Sequence, residues 1–85
     1  MRFVKIGDFY FNPTKIERIK AFAELEANSY KPLVKVYVPG KTFYFNAEDL
    51  GLPVIPCTAR YEAMGGADAM AERVVQAVED ALNGN

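Results

Sequence analysis

The chain has 85 residues, 51% of them hydrophobic, with six Phe, five Tyr, one Cys, no His, and ten Lys or Arg against eleven Asp or Glu. That length suits one small domain, and that apolar fraction excludes intrinsic disorder. Without His the chain lacks the commonest general base, the Ser/His and Cys/His dyads and most transition-metal sites, and one Cys cannot form an intramolecular disulfide.

Strands are expected first near 2–6 and 9–12. Val4 and Ile6 share one face of the first and Phe9 and Phe11 one face of the second, with Gly7-Asp8 as the turn. Phe9-Tyr10-Phe11-Asn12 recurs as Phe43-Tyr44-Phe45-Asn46, and each copy ends in an Asn suited to capping a helical turn, with Pro13 at a first helical position. Two copies are too few for a solenoid, so two similar hairpins in one sheet are expected.

Residues 16–27 fit two periods. Ile16, Ile19, Ala23 and Ala27 make a helical stripe, yet Ile19, Ala21, Ala23 and Leu25 alternate with Arg18, Lys20, Phe22 and Glu24. The strand, near 16–25, is preferred and would pair with Leu33–Val38 through the turn-like Ala27–Pro32, with 33–46 read as a hairpin through Pro39-Gly40. Val34, Val36, Val38, Phe43 and Phe45 then face inward. Lys35, Tyr37 and Tyr44 face outward, joined by Lys5 and Tyr10.

Asp49–Gly66 is a long irregular connection whose Leu52-Pro53-Val54-Ile55-Pro56 is too apolar for a solvated linker. It either packs along a core edge or waits for a partner. A helix is expected over 68–83, capped by Asp68 and stopped at Asn83-Gly84. Its stripe of Met70, Val74, Val78 and Leu82 would contribute on the order of 1.5–3 kcal/mol each before entropy. The fold class is α+β: an antiparallel sheet of about four strands with one C-terminal helix on one face.

Charge is uneven along the chain. Residues 1–41 hold eight Lys or Arg against four Asp or Glu, and residues 42–85 hold two against seven. Lys5, Arg18, Lys20 and Lys35 beside Tyr10, Tyr37 and Tyr44 offer phosphates a cation and bases a ring, the recipe for a single-stranded nucleic-acid face. The same residues also suit the wet side of any sheet.

Cys57-Thr58-Ala59-Arg60 with Gly65-Gly66 suggests a phosphate loop, but Ala63 stands where a phosphatase-like loop needs Arg. A half-buried thiol, with glycines turning the chain into the helix, is the plainer reading. Glu48-Asp49 and Glu79-Asp80 point apart, and Glu24 and Glu26 find no further ligands, so no catalytic, metal or cofactor site is expected. Leu52, Val54, Ile55, Tyr61 and Met64 form a candidate partner interface, to be covered by a second copy or by the chain's own sheet rim.

The stretch Phe3–Ile19, with its strand, Ile6-Gly7, aromatic strand, Asn12 and Ile16-x-x-Ile19, is similar to small bacterial and phage proteins of β-meander-plus-helix type. In layout it resembles the flagellar FlbD family: a hairpin, an Asn-capped turn, a second hairpin with Gly40-Lys41 at its tip, and a closing helix. The resemblance implies a four-stranded meander and a strand over 16–25, and it implies no catalytic residue. No apolar run approaches the roughly eighteen residues of a membrane span, and Met1–Lys5 lacks secretory-signal features. The expectation is a cytoplasmic, non-enzymatic accessory or regulatory protein acting through protein–protein contact, self-associating as a homodimer, with no membrane partner. The alternative is a single-stranded nucleic-acid-binding module.

Overall fold

The computed structural model describes residues 2–54 and 56–84. They form β1 (Val4–Ile6), β2 (Phe9–Phe11), β3 (Arg18–Glu26), β4 (Ser29–Val38), β5 (Lys41–Asn46) and α1 (Arg60–Leu82). The α+β class, the antiparallel pairing and the strand count, five where about four were expected, agree with the sequence, but the strands divide between two sheets where one was expected. β1 pairs with β2, and β3, β4 and β5 form a separate sheet in that order.

Turn chemistry accounts for each hairpin. Gly7 (φ 60°) and Gly40 (φ 78°) take the left-handed conformations that two-residue turns need. Ala27 (φ 45°) and Asn28 (φ 67°) both do so between β3 and β4, the pattern of a type I′ turn. Alanine is strained there and glycine is not. Ala27→Gly is therefore expected to stabilise the protein by about 0.5–1 kcal/mol, the left-handed penalty removed less the entropy cost of glycine, measurable by urea unfolding.

Each aromatic tetrapeptide does end in an Asn-led turn. Asn12 Oδ1 accepts from the Thr14 N–H at 3.0 Å ahead of the 3-10 turn Pro13–Lys15. Asn46 and Asp49 bond reciprocally: the Asp49 N–H donates to Asn46 Oδ1 at 2.8 Å, and the Asn46 N–H to Asp49 Oδ2 at 3.0 Å.

The segment left open between helix and strand is strand β3, paired along its whole length from Arg18↔Tyr37 to Glu26↔Ser29. β4 begins at Ser29, earlier than the hairpin expected from 33, and it includes Pro32. Proline fits because β5 ends opposite Leu33, so the N–H that Pro32 lacks is not needed by a neighbour. Beyond β5, the Tyr30 N–H is taken by the Cys57 carbonyl at 2.8 Å, which ties the irregular segment to the edge of β4.

The two look-alike ribbons stack face to face. Phe11 meets Phe43 edge-on with centroids 4.9 Å apart, and Phe9 lies 5.1 Å from Phe43 and 6.3 Å from Phe45. Tyr10 and Tyr44 point to solvent and Phe11 and Phe45 are buried, as the alternation requires, although Phe9 stays half exposed (50%).

Helix α1 starts eight residues before the expected Asp68, at Arg60, with Ala59 at its N-cap and no side-chain cap. Gly65 and Gly66 lie inside it. A Cβ at Gly66 would make ordinary van der Waals contact with Pro32 at 3.6 Å, and the helix runs through both glycines, which the sequence suggested as a turn into it. The buried stripe is Ala63, Ala67, Met70, Val74, Val78 and Ala81, while Leu82 is exposed. Its Met70, Val74, Val78 and Ala81 pack with Val34, Val36, Phe45, Val4 and Ile6 into one core. Among the described residues, no helix is long and apolar enough to cross a membrane.

Candidate interaction surface

The core takes one face of the three-stranded sheet, and the other face is polar and aromatic. Strand alternation places Arg18, Lys20 and Phe22 of β3, Lys35 and Tyr37 of β4, and Tyr44 of β5 on that outer face. The Arg18 guanidinium lies 4.2 Å from the Tyr37 ring centroid. Lys35 Nζ lies 4.3 Å from the Phe22 centroid and 5.5 Å from that of Tyr44. Phe22 and Tyr44 meet edge-on at 6.3 Å. Cations above ring faces are held by the ring quadrupole, so the cluster is preformed.

Five of the seven residues expected on a nucleic-acid face are thus brought together. Lys5 and Tyr10 are not: they oppose each other across β1 and β2, on the side of that hairpin turned away from its buried Val4, Ile6 and Phe11. Phe22 was missed by the sequence reading, although its alternation in phase with Arg18 and Lys20 was the available signal.

Electrostatics mark the same face. Lys20 sits directly opposite Lys35, a like-charge pair that is unfavourable within the chain. Tyr37 ionises below the usual phenol range, chiefly through its hydrogen bond with Arg18. Burial pushes the other way, and the charges of Lys35, Arg18 and Lys20 add smaller contributions to the lowering. Arg18→Gln should therefore move the Tyr37 titration upward, read as the alkaline rise in tyrosinate absorbance. A folded-state value depressed in this way stabilises the fold at alkaline pH, and the effect fades as pH falls through the Tyr37 titration.

The sheet also ends in an open edge. Tyr30 gives its N–H away from β3, so alternation assigns the backbone groups of Tyr37, Lys35, Leu33, Lys31 and Ser29 to β3 and those of their even-numbered neighbours to the other side. In β3 the backbone groups of Ile19, Ala21, Ala23 and Leu25 then point outward with no strand beside them among the described residues. Helix α1 flanks this edge: Asp68, Ala71, Glu72, Val75, Gln76 and Glu79 line a shallow groove with Ile19 and Ala21. Leu25 is 63% exposed, and Val75 is exposed as well.

The expected apolar interface is more scattered. Leu52 packs against the core and lines a cleft with Pro53, Cys57 and Met70. Val54, 58% exposed, lines a different one with Tyr30 and Pro56. Tyr61 is 79% exposed, Met64 is half-buried, and Ile55 lies outside the described residues. Among the described residues, no group of three or more Cys, Asp or Glu side chains is placed to hold a metal ion. No model of a known protein family, no curated protein and no solved structure matches the chain.

Proposed function

We propose that the chain is a small non-catalytic accessory protein that acts through protein–protein contact and associates with itself. The observation that supports this reading is the free edge of β3, nine residues long and flanked by exposed Leu25 and Val75. A strand edge of that length is a template for another strand unless something covers it. The exposed rings and chains of Tyr61 and Val54 offer further area to a protein partner. Sedimentation velocity from micromolar to millimolar protein tests it. A mass that rises with concentration is expected, and a strict monomer throughout overturns self-association.

A second reading has its own support in the Arg18, Lys20, Lys35, Phe22, Tyr37 and Tyr44 cluster, where cations alternate with the exposed Tyr44 ring and the half-buried Phe22 and Tyr37 rings. Single-stranded nucleic acid binds such a face by stacking and by phosphate contact, and its affinity falls as salt rises. Titrating a labelled oligonucleotide at low and moderate salt tests this. Lys35→Ala with Tyr37→Ala should abolish binding, and absence of binding at low salt removes the reading.

A further inference from the structure

The open edge of β3 carries side chains in an order that reverses its charge along the strand. On the outer face the sequence runs Arg18, Lys20, Phe22, Glu24, Glu26, and on the helix side Ile19, Ala21, Ala23, Leu25. We infer that β3 pairs antiparallel with β3 of a second copy about a two-fold axis through Phe22, joining two three-stranded sheets into one of six. The pairing rests on the self-association proposed above and assigns it a surface and a register.

Three independent features meet in that register. The first is the backbone. Ile19, Ala21, Ala23 and Leu25 hold the outward N–H and C=O groups, and rotation about Phe22 sets Ile19 against Leu25 and Ala21 against Ala23 of the second copy. Every free edge group thereby meets a free edge group, and Phe22 falls at a non-hydrogen-bonded pair, where facing side chains come closest.

The second is charge. Arg18 then faces Glu26 of the other copy, and Lys20 faces Glu24, twice over by symmetry. Within its own chain Lys20 has only Lys35 across from it, so the second copy supplies the counter-charge missing there. The third is apolar surface, since the exposed Leu25 gains Ile19 as its neighbour.

Charged residues on an edge strand ordinarily guard it against pairing, because a copy brings like charges together. Here that holds for an in-register parallel copy, while an antiparallel copy shifted by two residues keeps only one of the two charge pairings, Arg18 against Glu24 or Lys20 against Glu26. An antiparallel copy in this register meets opposite charges at every site, so the same residues select one partner geometry. The other free edge, β5, has no such order. It carries Lys41 and no acidic residue, and its Phe43 and Phe45 are engaged with β2. Glu72 and Glu79 rim the groove beside β3 and oppose the approach of a second helix, which makes the strand pairs decisive.

Charge reversal on the full chain tests the pairing by sedimentation velocity, with circular dichroism confirming that each variant is folded. Lys20→Glu and Glu24→Lys each turn two attractive contacts repulsive, and each should weaken association on the order of tenfold. Mixing the two variants should restore it, because each then meets the opposite charge, and so should combining both changes in one chain. Under mild oxidation in a Cys57→Ser background, Phe22→Cys should form a cross-linked dimer, whereas Ala21→Cys and Ala23→Cys should not.

A wild-type monomer at every concentration overturns both this pairing and the self-association beneath it. A dimer indifferent to both reversals, with no link at position 22, leaves self-association standing and moves the interface elsewhere. Linking at position 21 or 23 in place of 22 overturns the register. Loss of oligonucleotide binding in Lys20→Glu with unchanged mass assigns Lys20 to phosphate and overturns the pairing.

Discussion

Gly7→Ala is expected to lower the unfolding free energy by about 2–4 kcal/mol, a fall in melting temperature of roughly 10–25 °C for a domain of this size. Two costs combine. Gly7 has a φ of 60°, which an alanine adopts only with strain. The added Cβ would also lie 2.8 Å and 2.9 Å from two ring carbons of Phe45, closer than atoms pack. Phe45 is 2% exposed and wedged among Phe9, Phe11 and Phe43, so its ring has nowhere to retreat. Gly40→Ala is the control. Its φ is 78° but nothing lies within 4 Å of the new Cβ, so only the backbone cost of about 1–2 kcal/mol applies. Denaturant unfolding of the pair checks the argument, and equal losses would show that the ring does yield.

Phe45→Ala is expected to cost about 3–5 kcal/mol by the same measurement, the range for deleting a buried aromatic side chain and leaving a cavity. The ring joins the two sheets. It belongs to β5, yet its neighbours Phe9 and Phe11 belong to β2, and no hydrogen-bonded strand pairing connects those sheets. Phe9→Ala, at a half-exposed ring, should cost clearly less. A double-mutant cycle on Phe11 and Phe43, perpendicular at 4.9 Å, should return a coupling of about 0.5–1.5 kcal/mol. Neither Gly7 nor Phe45 touches the free edge of β3. At temperatures where these variants stay folded, their association should match wild type, which separates the hold on the core from the docking surface.

The two surfaces compete for Lys20. It belongs to the outer aromatic face through Lys35 and to the strand edge through its place in β3. Raised salt weakens oligonucleotide binding steeply through counterion release, whereas four strand ion pairs supported by backbone hydrogen bonds lose less. Salt dependence therefore distinguishes which ligand Lys20 serves.

What the residues determine alone is local. Period-two alternation in 34–38 and 43–45 marks the buried Val34, Val36 and Phe45 against the outward Lys35, Tyr37 and Tyr44, Asn12 and Asn46 close their turns through their own side chains, and Asn83-Gly84 ends the helix. Each of these depends on contacts within a few residues, so each is legible in one dimension. Residues 18–26 satisfy a helical and a strand period alike, and only pairing with β4 decides between them. Gly65-Gly66 reads as a break although the helix runs through both, and Ala63 and Ala67 count as weak apolar residues until the helix comes close enough to bury them fully. Likewise the twin aromatic ribbons carry the same pattern whether they lie side by side or face to face. Tertiary structure chose the second, because only there do Phe9 and Phe11 reach Phe43 and Phe45 in tilted and edge-on ring contacts, and that choice left β3 at an open edge with Lys5 and Tyr10 apart from Arg18, Lys20 and Lys35.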